Sequence, residues 1–264
     1  MIKKTTRKSD KTSRKQVDIL GIRVDSTSKA RVITAVEEKI SHNDKFYIVT
    51  PNPELILAST KDKKLKEALN SADFAIPDGF GLKAAEPSLR IIKGRKLFED
   101  LIALANKKGW RVFLLGGLGN EAEICRKKLE NSYRDLKIES GQGPKLNKNA
   151  RPISEIDRKI EIDIIARINQ FKPHLLFVAF GNPKQEIWMH DRYKLLDVSC
   201  MMGVGGTFRY FAGLAPLPPK WIEKAGLEWL WRLLTEPFRF TRVLNAVVVF
   251  PLRVWQAKLF RIHT

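Results

Sequence analysis

The sequence between residues 46 and 204 alternates short, continuously apolar runs with segments whose apolar residues recur at helical spacing. Such runs predict strands buried on both faces, and the segments between them predict helices that cover a sheet. The pattern predicts an α/β fold with a parallel, Rossmann-like sheet covered by helices on both faces. The predicted strands span residues 46–50, 74–76, 111–115, 137–139, 175–180 and 199–204, and the predicted helices span 53–70, 97–107, 121–131 and 155–170.

Two further expectations concern packing. A hairpin or strand near residues 17–24 is expected to join the edge of the sheet. The helix over residues 155–170 is expected to turn its isoleucines toward the core, because they recur at helical spacing; these are Ile156, Ile160, Ile164, Ile165 and Ile168.

Small and polar residues follow the predicted strands. They cluster at residues 50–54, 77–81, 115–119, 180–186 and 203–208. Ligands of open α/β sheets bind beyond the carboxyl ends of the strands, so these clusters predict a site at one edge of the sheet. Asn182, Gly205 and Gly206 belong to two of the clusters.

Two residues of these clusters carry functional groups that suit a catalytic or binding site. Asp78 stands between Pro77 and Gly79, where a carboxylate can serve as a general base or as an ordinary turn residue. Asn52 offers both a donor and an acceptor for sugar hydroxyls, and it is equally suited to cap a helix.

A glycine-rich loop holds Gly116, Gly117 and Gly119 and opens a helix. Glycines allow a diphosphate to approach the backbone at a helix N-terminus, although a tight turn needs the same residues. The loop lacks the lysine and hydroxyl of an ATP-hydrolysing P-loop and does not match the dinucleotide fingerprint. Further along the chain, Lys184 can meet a phosphate as a point charge, and Gln185 can bond a sugar hydroxyl or a uracil edge.

The chain carries 48 Lys and Arg against 29 Asp and Glu among 264 residues, a formal charge of +19. Its apolar content, 44%, excludes a mostly disordered protein. Two separated cysteines favour a reducing cytoplasm, and four scattered histidines make a zinc site unexpected. No metal and no cofactor are expected.

Positive charge is concentrated at both ends of the sequence. Residues 1–16 hold seven basic residues and one acid, which predicts a disordered basic tail. Residues 215–264 form a basic, aromatic appendage, predicted to be helical. Its Trp, Phe, Lys and Arg suit an anionic membrane surface, although packing of the aromatics on the core is an alternative. Its longest apolar run, residues 246–252, is far shorter than the ~20 residues of a spanning helix. Residues 17–214 make up the predicted α/β domain.

The ordered series of motifs resembles the WecG/TagA/CpsF family of bacterial glycosyltransferases. The resemblance covers roughly residues 17–244, and its most specific segments are 180–186, 203–208, 218–221, 226–233, 236–237 and Arg239. The segments 50–54 and 78–81 match two earlier motifs of the family.

The resemblance implies an inverting, metal-independent transfer of an N-acetylhexosamine, N-acetylmannosamine in the best-known members. The donor is a UDP-sugar, and the acceptor is a polyprenyl-diphosphate-linked sugar used in cell-surface polysaccharide or teichoic-acid-type synthesis. It implies that Asp78 is the catalytic base and that Thr50, Asn52 and Gln185 lie in the active site. It also implies that the appendage docks on the inner face of the cell membrane, where Arg232 and Arg239 close over the site.

The sequence departs from the family pattern near the predicted site. Arg90 keeps a basic residue of the family with shifted spacing, Lys96 replaces an aspartate, and Arg209 stands where an acid is common. A family Gly-Tyr-Phe motif is absent around residues 141–145. The added positive charge suits a more anionic ligand.

Two other classes of protein are alternatives. A nucleic-acid-binding protein would account for the charge, but no recognised nucleic-acid-binding motif is present, so no nucleic-acid partner is expected. A dinucleotide-dependent oxidoreductase would account for the α/β pattern, but its glycine fingerprint is missing.

Overall fold

The computed structural model describes residues 15–219, 221–222, 225–235 and 240–262. Six parallel strands form the central sheet in the order β4-β3-β8-β7-β5-β6. They are β3 (Phe46–Val49), β4 (Phe74–Ala75), β5 (Arg111–Gly116), β6 (Lys137–Gly141), β7 (Leu175–Ala179) and β8 (Cys200–Gly203). The predicted α/β class and parallel sheet are confirmed.

The N-terminal strands form a separate sheet. β1 (Lys15–Ile19) and β2 (Ile22–Ser26) pair as an antiparallel hairpin, so the expectation that this segment joins the large sheet is wrong. The contact to the large sheet runs through a side chain instead: Asp25 Oδ2 accepts a hydrogen bond from the β4 residue Ala75. Residues 15 and 16 lie in β1, and residues 1–14 of the predicted tail lie outside the described residues.

Helices pack on both faces of the sheet, and each face has its own apolar cluster. The helices before β8 are α1 (Lys29–Ser41), α2 (Pro53–Ser59), α3 (Lys63–Asn70), α4 (Gly94–Lys108), α5 (Glu121–Ser132), α6 (Glu155–Phe171) and α7 (Lys184–Arg192). The predicted helix over residues 53–70 is two helices, because Asp62 caps a new helix by accepting from the N–H of Leu65.

Helix α6 buries a different face from the predicted one at its start. Ile156 is 72% exposed, whereas Asp157 and Glu161 are buried. Glu161 accepts hydrogen bonds from Trp188 Nε1 at 2.7 Å and Arg192 Nη2 at 3.0 Å, so its burial is compensated by polar partners. The buried isoleucines of this helix are Ile164 and Ile168.

The C-terminal segment is helical; its first helix packs on α5, and its last helix packs on α2 and residues 80–85. It contains α8 (Thr207–Phe211), α9 (Glu228–Thr235), α10 (Phe240–Leu244), a π-helical stretch (Asn245–Val249) and α11 (Phe250–Ile262). Phe250 and Val254 of α11 are buried in the same apolar cluster as Leu82. Lys258 Nζ also donates to the carbonyl of Ala85 at 2.7 Å. Within the described ranges, no helix combines the length and apolar character that a membrane span requires.

Candidate functional site

The carboxyl ends of β3, β4, β7 and β8 surround a cavity of about 410 Å³. We call it the polar cavity, because charged and polar groups dominate its wall. Its lining includes most of the predicted site residues, namely Thr50, Asn52, Asp78, Asn182, Lys184, Gln185, Gly205 and Gly206. The strand order places these separate sequence clusters at one edge, as the alternating pattern predicted.

Asp78 and Thr50 lie side by side at the start of α4. A Cβ placed on Gly94 would lie 3.4 Å from Asp78 Oδ2 and 3.7 Å from Thr50 Oγ1. The glycine therefore leaves the first turn of α4 close to both side chains. The carboxylate is only partly buried, so it can meet a substrate hydroxyl directly.

Asn52 serves as the N-cap of α2. Its Oδ1 accepts from the backbone N–H of Leu55 at 2.9 Å, and Pro53 follows at the first helical position. The cap orients the amide while Asn52 still lines the polar cavity. The capping and binding roles considered from the sequence are therefore compatible.

A second cavity of about 530 Å³ adjoins the first. We call it the apolar cavity, because carbon atoms dominate its wall. It lies between the β3 and β4 loops and the C-terminal helices. Its apolar lining is Pro53, Phe80, Ala84, Ile91, Trp229, Val243, Ala246, Val247 and Pro251. Asn52, Glu54, Asp78 and Lys93 line both cavities, so the candidate base stands at their shared wall.

Two glycines let the C-terminal helices approach the apolar cavity. A Cβ on Gly81 would lie 2.8 Å from the ring of Pro53 and 3.4 Å from the carbonyl oxygen of Ala246. A Cβ on Gly226 would lie 3.0 Å from the Phe80 ring. A larger side chain at Gly81 would clash with Pro53, and one at Gly226 would press on the Phe80 ring.

Three cationic side chains that were not among the predicted site residues also line the polar cavity. They are Lys93 and Arg95 at the start of α4, and Arg209 on α8. Arg209 Nε lies 3.9 Å from Glu121 Oε1 and is buried without a hydrogen-bond partner among the described residues. The departures noted around residues 90–96 and at Arg209 pointed to this region, but only the fold shows which of those side chains face the cavity.

Other predicted residues lie elsewhere. Arg90 is exposed and is not among the described residues that line the two cavities. The same holds for the three glycines of the loop, Gly116, Gly117 and Gly119. The glycine loop uses its own amides: Gly117 N–H donates to the carbonyl of Ala179, and Leu118 N–H donates to Glu121 Oε2. Those two N–H groups are therefore already hydrogen-bonded to other groups of the protein. Lys96 is also exposed and pairs with Glu99.

Of the two predicted arginines of the appendage, only one lies within the residues that the structure describes. Arg232 belongs to α9, and Arg239 lies outside the described residues. Their closing role stays a prediction. Within the described part of the chain, no three His, Cys, Asp or Glu side chains are grouped in a way that could hold a metal ion.

Comparison with known proteins identifies the family. The model of the family "Glycosyl transferase WecG/TagA/CpsF family" matches residues 17–264. Proteins of Staphylococcus aureus strains NCTC 8325, COL and MRSA252 are each 29% identical over 250 residues, 92% of this chain and 93% of theirs. Each is named N-acetylglucosaminyldiphosphoundecaprenol N-acetyl-beta-D-mannosaminyltransferase. Since the family model covers nearly the whole chain, this protein belongs to the WecG/TagA/CpsF family of glycosyltransferases.

Proposed function

We propose that the protein transfers an N-acetylhexosamine, N-acetylmannosamine in the first instance, from a UDP-sugar to a polyprenyl-diphosphate-linked N-acetylglucosamine. The observation that carries the proposal is that Asp78 stands at the wall shared by the polar cavity and the apolar cavity. A transferase with a charged donor and a lipid acceptor needs this arrangement. The names of the staphylococcal relatives supply the two sugars and the lipid class.

The polar cavity suits the sugar nucleotide. Lys184 and Arg209 place positive charge where a diphosphate would lie, and an arginine binds phosphate through more than one N–H. Phe180 also lines this cavity, and its ring packs edge-on against Trp188 with the ring centroids 5.3 Å apart. Gly143 makes room for that ring, since a Cβ there would lie 2.1 Å from Phe180 Cε1.

The apolar cavity suits the lipid-linked acceptor. Its wall combines the rings of Trp229 and Phe80 with the aliphatic side chains of Val243 and Val247, which can contact isoprene units. Lys93, at the junction of the two cavities, provides a cation for the acceptor diphosphate. This placement brings the acceptor sugar toward Asp78 from the side opposite the donor.

The chemistry we propose is a single displacement that inverts the anomeric centre. Asp78 accepts the proton of the acceptor hydroxyl as its oxygen forms the new bond to the anomeric carbon. The bond from that carbon to the diphosphate oxygen breaks, and UDP departs with the bonding electrons. Positive side chains around the polar cavity stabilise the charge that develops on UDP.

We further propose that the protein works at the inner face of the cell membrane. Leu252, Trp255 and Leu259 form an exposed apolar stripe along α11, while Phe250 and Val254 pack inward. Trp221 is also 67% exposed. One side of α11 thus packs on the core, and the opposite side is available to contact a membrane. The basic tail and the basic residues of the appendage add attraction to anionic lipid.

The deciding experiment measures UDP release from a panel of UDP-sugars with and without a short-chain prenyl-diphosphate-N-acetylglucosamine. We expect acceptor-dependent release from UDP-N-acetylmannosamine. Release only from another UDP-sugar would indicate that the sequence departures at Arg90, Lys96 and Arg209 determine donor specificity. No release from any donor, together with tight RNA or NADH binding, would overturn the proposal in favour of one of the two alternative classes.

A further inference from the structure

A chain of buried hydrogen bonds leads from the interior to the polar cavity. Gln185 is 1% exposed, and its Oε1 accepts from the backbone N–H of Gly205 at 3.0 Å. Its Nε2 donates to Glu186 Oε1 at 2.8 Å and to Asn182 Oδ1 at 3.0 Å. Of these side chains, Asn182 and Gln185 line the cavity, and Glu186 is completely buried behind them.

The backbone N–H of Gly205 determines which group donates and which accepts in each of these hydrogen bonds. The N–H of Gly205 can only donate, so Gln185 must turn its oxygen toward Gly205 and its NH2 group toward Asn182 and Glu186. Asn182 must then offer its oxygen to Gln185, which leaves its own NH2 group for other partners. Among the described residues no hydrogen bond engages Asn182 Nδ2, and Asn182 is one of the residues that line the polar cavity.

Steric contact keeps Gln185 from turning. A Cβ on Gly203 would lie 2.8 Å from Gln185 Nε2, so the amide lies directly against strand β8 with little space around it. Glu186 supplies the second oxygen that the amide needs. Without that oxygen, one N–H of a fully enclosed amide would lose its partner, which costs more than the bond itself contributes.

We infer that Asn182 presents its NH2 group to an anionic oxygen of the donor diphosphate, and that Glu186 is a positioning residue that fixes this polarity through Gln185. The inference rests on the proposed function. Lys184 and Arg209 line the same cavity, so the amide donors of Asn182 join a cationic environment that favours phosphate oxygens. Burial raises the pKa of Glu186 to about 7, and its acceptor oxygen remains an acceptor whether the group is protonated or not.

The first test uses UDP itself and titration calorimetry. Asn182→Asp keeps the oxygen that Gln185 needs but replaces the NH2 group with a second carboxylate oxygen. We expect UDP to bind about 10-fold to 100-fold more weakly, the range for a hydrogen bond to a charged group. Asn149→Asp, at an exposed position outside both cavities, adds the same charge and should leave UDP affinity unchanged.

The outcomes of this titration separate the two proposals. Equal UDP affinity in the wild type and the Asn182→Asp variant would overturn the inferred polarity while leaving the proposed function in place. Failure of the wild type to bind UDP would overturn the proposed donor, and the diphosphate assignment with it.

The second test examines Glu186 through kinetics. Glu186→Leu removes the acceptor oxygen, and we expect the donor KM to rise about 10-fold with kcat and the acceptor KM nearly unchanged. Glu186→Gln retains an acceptor oxygen and should restore the donor KM. A purely structural role would lower Tm in the leucine variant without moving KM, and that result would overturn the positioning role. If Glu186→Leu does not fold, Glu186→Met provides the same test with a more adaptable side chain.

Discussion

The backbone N–H of Asp78 donates a hydrogen bond to the carbonyl oxygen of Pro51 at 2.9 Å. This bond joins the loop after β4 to the loop after β3, and so sets the distance between the candidate base and Thr50 and Asn52. The bond uses only backbone atoms. This contact between the two loops is therefore independent of the chemistry of the Asp78 side chain.

Asp78→Asn should lower acceptor-dependent turnover by about 100-fold to 10,000-fold, the usual contribution of a general base. UDP affinity and Tm should stay close to wild type, because the backbone bond to Pro51 remains. Steady-state kinetics measures the turnover, and calorimetry measures UDP affinity and Tm. Asp62→Asn is the matched control, since asparagine caps a helix as well as aspartate and the residue lies outside both cavities. A fully active Asp78→Asn enzyme would contradict the assignment.

Phe250→Ala should release α11 from the domain. Phe250 is completely buried, and truncation of a core phenylalanine costs on the order of 3–5 kcal/mol. The neighbouring residues Val247 and Pro251 line the apolar cavity, so acceptor-dependent turnover should fall strongly while UDP binding persists. Hydrogen exchange over residues 240–262 measures the release. Faster exchange with undiminished turnover would show that the apolar cavity is not the acceptor site.

Trp255→Ala should weaken binding to anionic vesicles several-fold without lowering Tm. The indole is 60% exposed on the stripe of α11 that faces away from the core, so its removal costs little folding energy. Vesicle sedimentation measures the effect. Leu195→Ala removes another exposed apolar side chain (58% exposed) far from the stripe in sequence, and it should bind vesicles like the wild type. Identical vesicle binding by the Trp255 and Leu195 variants would argue against membrane docking through α11.

Glu186 should make the free energy of unfolding fall as pH rises between about 4.5 and 7. Burial raises its folded pKa to about 7 from 4.5, so in this range the folded state binds a proton that the unfolded state has lost. Relative to Glu186→Gln, the wild type should lose roughly 3 kcal/mol across the window, at about 1.4 kcal/mol per pKa unit. Urea unfolding of both proteins at pH 4.5 and pH 8 checks this. A constant difference between the two proteins would mean that Glu186 does not titrate there.

Glu161→Ala should destabilise the protein by about 3–5 kcal/mol, the typical cost of removing one partner from a buried ion pair. Trp188 Nε1 and Arg192 would both lose their acceptor. Chemical denaturation measures this change in the free energy of unfolding. Ile162→Ala, next to it on α6 and 58% exposed, should change stability by less than about 0.5 kcal/mol. Equal effects of the two substitutions would show that the buried carboxylate contributes little.

The sequence predicted the parallel sheet and the edge at which the site lies, because both depend on local signals. A continuously apolar run such as β7 identifies a strand on its own, and parallel pairing then brings the residues that follow β3, β4, β7 and β8 together. Thr50, Asp78, Asn182 and Gln185 were therefore found without knowledge of their contacts. Whether each acts on substrate stays a prediction.

What depends on long-range packing was not predictable from the sequence. The isoleucine spacing placed Ile156 on the core side, but the partners of Asp157 and Glu161 come from other parts of the chain and determine which face is buried. Likewise, Lys93 and Arg95 line the polar cavity whereas Arg90 and Lys96 do not, and this difference depends on how α4 and the loop before it are placed against the sheet. The apolar cavity needs residues more than a hundred positions apart, so no local pattern indicates it.

The apolar cavity is lined by two distant parts of the sequence, represented by Phe80 and Val247, and this has a consequence for synthesis on the ribosome. The strands and loops that form the polar cavity, residues 46–218, emerge before residues 226–251, which complete the second wall. At about 5–20 residues per second, the ribosome adds residues 226–251 within about a few seconds after residue 218. We therefore expect the polar cavity to take shape before the last helices pack on the domain and complete the apolar cavity.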